Sequence, residues 1–548
     1  MNEVVKNLTH FYQSKNVAVP ELLYDCGEQQ ELYNQRRQIF NRNFQFKPTV
    51  IVLCENKEQV SVLVQFTSSQ GLTLRVRSGG HDHEGECTGT DVVLMDLSKM
   101  NKVDVKNGYV AIEAGNIFKN LTTILAKSEV MIPHGTCATV GIAGFTLGGG
   151  WGPWTRKHGM CCESVIGATV VLGDGSIVDV SQQEEYDNDK SLLWALKGGG
   201  GFSYGIVTEF RITTFPLPPM LIKFQVQWNK LEHQRHTESY FAHPHHLTPT
   251  LDILQAWEQL IDGEGKPNEN LVGTNLKISA KPSHLDEPFV VDKVCHNCIM
   301  YGYWEGNEED LKEFLRINFA TVPHYKYKLL GKGGTHNTTE NYGENLMSSW
   351  DRFSFQQVQQ LMLNNEADEH DTPFPPDLDD PAPHKITSRL VEAQGLDKEG
   401  YVQLLRSLTS PLVEIGNVQL GLFTYITLGA INGKYYKNMT PDRAIHSSFP
   451  YKDRLYTIQY QTWWNEKPKQ KAKGEDNKVY NRVNRALDWM DVCRNFKIPN
   501  TSGAFISFKD SSIPTKTYFD VSYEKLIRAK HKHSKDPFNH FRSRKTII

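Results

Sequence analysis

The sequence predicts an α+β protein of two domains, and three observations carry that expectation. A chain of 548 residues is too long for one hydrophobic core. Residues 48–80 read as strand, helix and strand. Three glycine-rich clusters then crowd into residues 79–205, before a proline-rich join, "TTFPLPPM" (213–220). Beyond that join, strand-like and helix-like pieces alternate to about residue 510. The expected boundaries are 1–215 for the first domain, with its core at 44–215, 216–510 for a second domain, and 511–548 for a C-terminal segment.

Each element has its own local reason. Thr49 to Cys54 is rich in β-branched residues and reads as a strand. Val60, Leu63, Val64 and Thr67 follow at helical spacing, and Gly71 ends the helix. "DVVLMDLSKM" (91–100) and "GYVAIEAG" (108–115) read as further strands. "SVIGATVVLGDGSIVDVS" (164–181) reads as a hairpin turning at Gly173-Asp174-Gly175. In "YTIQYQTWW" (456–464) the alternation puts Gln459, Gln461 and Trp463 on one strand face and Tyr460, Thr462 and Trp464 on the other.

Composition narrows the function. A net charge of −3 does not suit a general nucleic-acid or membrane-surface binder. No stretch approaches the roughly 20 apolar residues of a membrane span. The first residues, "MNEVVKNLTHFYQSKN", lack the apolar run of a signal peptide. Nine cysteines, an odd number, do not read as a disulfide framework, so the expected location is cytoplasmic. The sequon Asn120-Leu-Thr122 matters only in a secreted chain. "AHPHHL" (242–247) reads as solvated histidines rather than a metal site, and no metal is expected. "CHNC" (295–298) is a lone C-x-x-C, better read as buried or free thiols than as zinc or redox chemistry. "NNEADEHDTPFPPDLDDPAP" (364–383) reads as an acidic loop.

Chemistry concentrates in the glycine clusters. In "RVRSGGHDHEG" (75–85), two glycines after Arg77-Ser78 let successive N–H groups face one concavity, which suits an anion. "PHGTCATVGIAGFTLGGGWGPWTRKHGM" (133–160) leaves its backbone bare at Gly135, Gly141, Gly144, Gly148, Gly149, Gly150 and Gly152. "LKGGGGFSYGIVTEF" (196–210) repeats the pattern. Glycine at this density weakens any strand or helix, so a large flat ligand pressed against main chain is the economical reading. A Rossmann fingerprint belongs after the first strand, and that position is empty.

Together "RSGGH", "GTCATVG", "GGGWG" and "GGGGFSYGIVT" resemble the berberine-bridge-enzyme and hexose-oxidase branch of the vanillyl-alcohol-oxidase flavoproteins. The likeness extends through 456–468 and 523–541, covers nearly the whole chain, and leaves 364–383 as this protein's own. It implies a PCMH-type FAD-binding domain with a central antiparallel-sheet substrate domain at 216–510, and with the segment 511–548 returning to the FAD domain. It also implies FAD bonded twice, through His81 to the flavin 8α carbon and through Cys137 to C6. Arg77, Ser78, Gly79 and Gly80 would hold the pyrophosphate. Asp82, Thr139, Val140, Gly141, Gly144, Gly148, Gly149, Gly150, Gly200, Gly205, Ile206 and Val207 would complete the cofactor site.

The strand face with Gln459 and Gln461 beside the Trp463 indole suits a polar, ring-shaped substrate, and solvent or an interface would explain it equally well. The resemblance adds Trp151 and Phe505 as pocket candidates, and there the chain departs from the pattern. Relatives carry tyrosine where Trp151 and Phe505 stand. Ser507 replaces an asparagine and Phe508 a second tyrosine. Phenylalanine cannot accept a proton, so the base that an alcohol needs is unassigned, whereas a neutral amine needs none. Val140 suits oxygen access beside the flavin; Phe145, where many relatives have histidine, adds bulk. The leading expectation is an FAD-linked oxidase of a sugar-like or natural-product alcohol, with hydride passing to flavin N5 and O2 reduced to H2O2. The alternatives are a dehydrogenase with another acceptor, an amine oxidase, and a flavin-binding protein whose catalysis has decayed.

Overall fold

The computed structural model describes residues 3–182, 190–229, 247–283, 288–322, 324–331, 339–348, 380–465 and 478–548. The histidines at 243, 245 and 246, and residues 364–379 of the acidic stretch, lie outside the described residues.

The first unit begins as the alternation predicts: strand Val50–Leu53, helix Lys57–Ser69, strand Leu74–Arg77. Asn56 caps the helix by accepting the Gln59 N–H at 2.9 Å. The periodic residues Val60, Leu63, Val64 and Thr67 are all buried. Val93–Asp96 lies between the two strands and parallel to both, and Glu21–Leu23 adds an antiparallel edge. A second sheet of five antiparallel strands follows, in the order Val103–Val105, Tyr109–Glu113, Ile206–Thr213, Val165–Val171, Ile177–Ser181. Its hairpin closes at Leu172 and Ser176, with Gly175 at φ +81°, a value that glycine adopts without strain.

The middle of the chain builds one antiparallel sheet of eight strands. From edge to edge they run His324–Gly331, Met220–Trp228, Cys298–Trp304, Leu271–Ser279, Leu422–Ala430, Tyr456–Trp464, His384–Val391, Thr501–Ser502. Alternate side chains meet different neighbours, as strand geometry requires. One set, including Leu276, Ile426, Ile458 and Tyr460, packs under the helices Thr250–Asp262, Glu308–Asn318, Lys398–Leu408 and Lys478–Asn495. The other set faces the first unit and carries most of the sheet's polar side chains.

The tail does not hang free. Leu526 and Ala529 of the helix Tyr523–His533, then Phe541 and Ile547, join the core that begins at Val5. Lys530 donates to the Phe541 carbonyl at 3.3 Å, and the Ile547 N–H donates to Ser203 Oγ at 3.0 Å. All nine cysteines are unbridged. Among the described residues no helix is long and apolar enough to cross a membrane, and no acidic, histidine or cysteine group has metal-site spacing.

Phe541 is fully buried in that first core. Phe541→Ala is expected to cost about 3–5 kcal/mol, the range for emptying a buried phenyl site. Urea denaturation measures it; a loss below about 1 kcal/mol would show the tail to be a loose appendage.

Candidate active site

One cavity of about 430 Å³ lies between the first unit and the inward face of the large sheet. Its floor comes from the two glycine clusters, which the fold presses backbone to backbone. A Cβ on Gly79 would sit 2.3 Å from the Gly141 nitrogen, and one on Gly141 would sit 2.3 Å from Ser78 Oγ. No side chain fits at either position, so these glycines are needed for the approach of the two chain segments themselves. Gly144 differs: it lines the cavity, and a Cβ there would meet nothing within 4 Å. Bare main chain therefore does face the cavity, but at fewer positions than glycine density suggests.

That approach brings His81 and Cys137 to the same cavity. The His81 ring stacks on Phe40 with centroids 3.8 Å apart, and its Nε2 bonds to Thr139 Oγ1 at 2.8 Å. Burial, together with the neighbouring His83, pushes the His81 pKa down to about 3, so the ring is neutral at pH 7. With Nε2 engaged by Thr139, Nδ1 is the nitrogen left for another partner. Asp82 turns beneath this segment, accepting the Glu84 and Glu86 N–H groups at 3.0 Å each and pairing with Lys509 Nζ at 2.6 Å. Burial opposes its ionisation, but Lys509 outweighs burial and holds the carboxyl below its ordinary value.

The roof is the sheet. Gln459, Gln461 and Trp463 all reach the cavity, as their alternation predicts, while Tyr460 packs among the helices on the far side. Gln461 donates to Thr427 Oγ1 at 2.8 Å and accepts the Trp463 indole N–H at 2.9 Å, so its amide is held in one orientation. Trp151 lines the cavity too, anchored by an N–H bond to the Ala430 carbonyl at 2.7 Å. Register adds groups that no local pattern announced. Asn275 pairs across strands with Tyr301, and Lys277 with Thr427. The Lys277 ammonium sits over the Tyr301 and Tyr425 rings, at 5.1 and 5.9 Å from their centroids.

Ser78, Gly79, Gly80, Asp82, Val140, Gly141, Gly144, Gly148, Gly205, Ile206 and Val207 all line the cavity. Thr139 acts through His81. Five expected residues do not line this cavity. Arg77 is buried and spent on Asp96, whose Oδ2 takes its Nε–H at 3.1 Å, and on the Gln38 carbonyl; it supports the strand rather than an anion. Gly149 packs on Phe449 and Phe505, Gly150 on Cys161 and Phe145, and Gly200 on Phe519. Phe505 itself is buried away from the cavity against Phe449. The short 3-10 turn Ile506–Phe508 presents Ser507 and Phe508 instead. Of the lone C-x-x-C, Cys298 is buried, and Cys295 donates its thiol to the Lys293 carbonyl at 3.4 Å.

The matching protein-family model is an FAD binding domain, over residues 48–181. Glucooligosaccharide oxidase of Sarocladium strictum is 34% identical over 283 residues, 50% of this chain and 49% of that protein. Berberine bridge enzyme-like 21 of Arabidopsis thaliana is 26% identical over 534 residues, 93% of this chain and 84% of that protein. The chain is thus similar to berberine-bridge-enzyme-like proteins and carbohydrate oxidases, and it contains an FAD binding domain. Among solved structures, glucooligosaccharide oxidase from Acremonium strictum, described as carrying a 6-S-cysteinyl, 8α-N1-histidyl FAD, superposes with TM-score 0.70 at 20% identity. That superposition covers 100% of this chain and 99% of the other. The PCMH-type α+β fold is thus shared by this chain, and the cavity fits a flavin nucleotide. It offers a side-chain-free floor at Gly144, a neutral imidazole with Nδ1 uncommitted to Thr139, and a thiol.

Asp82→Asn would leave the Lys509 ammonium enclosed without its carboxylate, at a cost on the order of 3 kcal/mol at pH 7. Because the folded carboxyl is held below its ordinary value, the pair's contribution is present above about pH 4 and is lost as pH falls through the folded value. Urea midpoints of wild type and variant should therefore differ at pH 7 and draw together as pH falls through the folded value of the Asp82 carboxyl.

Proposed function

We propose that this chain carries FAD attached through His81 Nδ1 and Cys137 Sγ and oxidises a sugar-like or natural-product alcohol, with O2 as the electron acceptor and H2O2 as product. The observation that carries this reading is that one cavity receives both the His81 imidazole and the Cys137 thiol beneath a polar sheet face. The bound flavin would supply hydride acceptance and its own reoxidation by oxygen. Everything else falls to the chain. The paired backbones at Gly79 and Gly141 shape the floor, and Thr139 fixes the His81 ring. On the substrate side, Gln461 offers an oriented amide, and Gln459 and Asn275 add hydrogen-bonding groups suited to hydroxyls.

A second feature favours an alcohol over an amine. Lys277 places a fixed ammonium within the cavity, against which a protonated amine would be repelled, whereas a neutral polyol is not. Oxygen as acceptor draws support from Val140, small and on the cavity wall. Phe145 is braced by an edge-to-face contact with Phe118, centroids 4.7 Å apart, so its bulk stays at the wall. Cytoplasmic residence belongs to the same proposal and accords with nine unbridged thiols.

His81→Ala is expected to keep flavin through Cys137, Cys137→Ala to keep it through His81, and the double variant to release it on acid precipitation. Wild-type protein that releases all its flavin on denaturation would overturn the double attachment. Anaerobic mixing with a panel of sugars, alcohols and amines then reads the substrate class. Bleaching by an alcohol and recolouring within seconds in air is the expected result. Bleaching by amines alone would replace the alcohol reading, and slow recolouring in air would replace oxidase by dehydrogenase.

A further inference from the structure

With Phe505 outside the cavity and Phe508 unable to take a proton, alcohol oxidation here needs an acceptor that the carbohydrate-oxidase pattern does not supply. We propose that His83 is that acceptor, through its Nε2, and that His384 is the positioning residue that keeps this nitrogen bare. This rests on the alcohol-oxidising reading above.

The argument is an accounting of protons along two rings. His384 Nδ1 lies 2.8 Å from the Ala382 carbonyl oxygen, which can only accept, so that nitrogen carries a proton. His384 is buried, and burial followed by the neighbouring His83 drives its pKa well below the ordinary value, so the ring is neutral. Its Nε2 is then a lone pair. That lone pair faces His83 Nδ1 at 2.9 Å, which must therefore donate. His83 is neutral as well: burial pushes its pKa down to about 4, with Asp82 raising and Lys509 lowering it. A neutral imidazole protonated at Nδ1 keeps its lone pair on Nε2. His83 is half-buried and lines the cavity, so its residue belongs to the wall a substrate would meet.

The surroundings hold the pair rigid. Asn41 Nδ2 donates to the His83 carbonyl at 2.7 Å and to the His384 carbonyl at 3.0 Å, and its Oδ1 accepts the His384 N–H at 3.2 Å. The His384 ring stacks on Trp463, centroids 4.0 Å apart, which ties the dyad to the substrate face of the sheet. The charged and titratable groups around His83 are His81, His384, Asp82 and Lys509, with Glu86 beyond Lys509. Burial, with a smaller contribution from Lys509, keeps the ring neutral before reaction, and Asp82 offsets the charge it gains.

The step balances. The substrate O–H bond breaks and its proton goes to His83 Nε2. The carbinol C–H bond breaks, its electron pair leaving as hydride to the oxidised flavin, and C=O forms. The proton on His83 is one of the two that O2 takes up on becoming H2O2.

Two measurements on the flavin-loaded protein test this. Nitrogen-15 NMR of histidine-labelled wild type, with His83 assigned through His83→Gln, is expected to show Nδ1 protonated and Nε2 bare at pH 7. A proton on Nε2 overturns the proposal whatever the activity. Anaerobic bleaching by the best alcohol is expected to slow at least about 10²-fold in His83→Phe, with covalent flavin retained on acid precipitation. His384→Phe removes the acceptor and should also slow bleaching and move the His83 proton, while His384→Gln, whose amide oxygen can accept, should recover part of the rate. Bleaching within about threefold of wild type in His83→Phe overturns the role of His83 and leaves the alcohol reading standing. A wild type that no alcohol bleaches overturns that reading, and this proposal with it.

Discussion

The contact on which the site depends is main chain against main chain, Gly79 on Gly141. Both positions are closed to any side chain, since each Cβ would fall 2.3 Å from an atom of the opposing segment. One segment follows a strand of the first sheet; the other precedes the short helix Ile142–Leu147. Pressed together, they set His81 two residues past one glycine and Cys137 four residues before the other, at a single cavity. Thr139 then bonds directly from the second segment to the histidine of the first. A β-carbon at either glycine would move the segments apart and separate the two attachment residues, whatever their own chemistry.

The large sheet faces a different constraint. Its strands must be apolar on the face under the helices, where Trp257, Trp304 and Trp489 are fully buried, and are free to be polar on the other. That freedom is what places glutamine, asparagine, lysine and tyrosine over the cavity. Their amides and ammonium need partners there. Gln461 finds Thr427 and Trp463, and Lys277 finds two aromatic faces. A polar surface already tied in this way loses little conformational freedom when a ligand binds, which favours tight orientation over adaptability.

Legibility in the sequence followed the range of the physics involved. The helix at Lys57–Ser69 and the split faces of Tyr456–Trp464 were readable because periodicity is a local property. His81 and Cys137 were readable through the resemblance that their glycine contexts carry. Arg77 was misread because an arginine before two glycines looks like an anion ligand until Asp96, nineteen residues on, is seen to claim it. Phe505 was misread because a 3-10 turn has no two-residue alternation, so its facing could not be inferred from neighbours. His384, Lys277 and Tyr301 stand on strands whose pairing partners are distant in sequence. Nothing in their immediate context marks them, and only register brings them to the cavity.

On the proposed reading, His83 takes the part that a tyrosine in the late turn would otherwise play. A phenol that accepts a proton must itself be ionised or relayed, since its ordinary pKa is near 10. A neutral imidazole needs no such activation, only a partner that decides which nitrogen is bare. His384 is such a partner, because the Ala382 carbonyl leaves it no choice of tautomer. Once a histidine dyad is in place, a phenol at the turn is redundant, and Phe508, 6.2 Å from the His83 ring, can serve instead as an apolar wall. With its pKa pushed down to about 4, the His83 ring is neutral at any pH above about 5 and is a weaker base than an ordinary imidazole. Its part is therefore to take a hydroxyl proton that hydride loss makes strongly acidic.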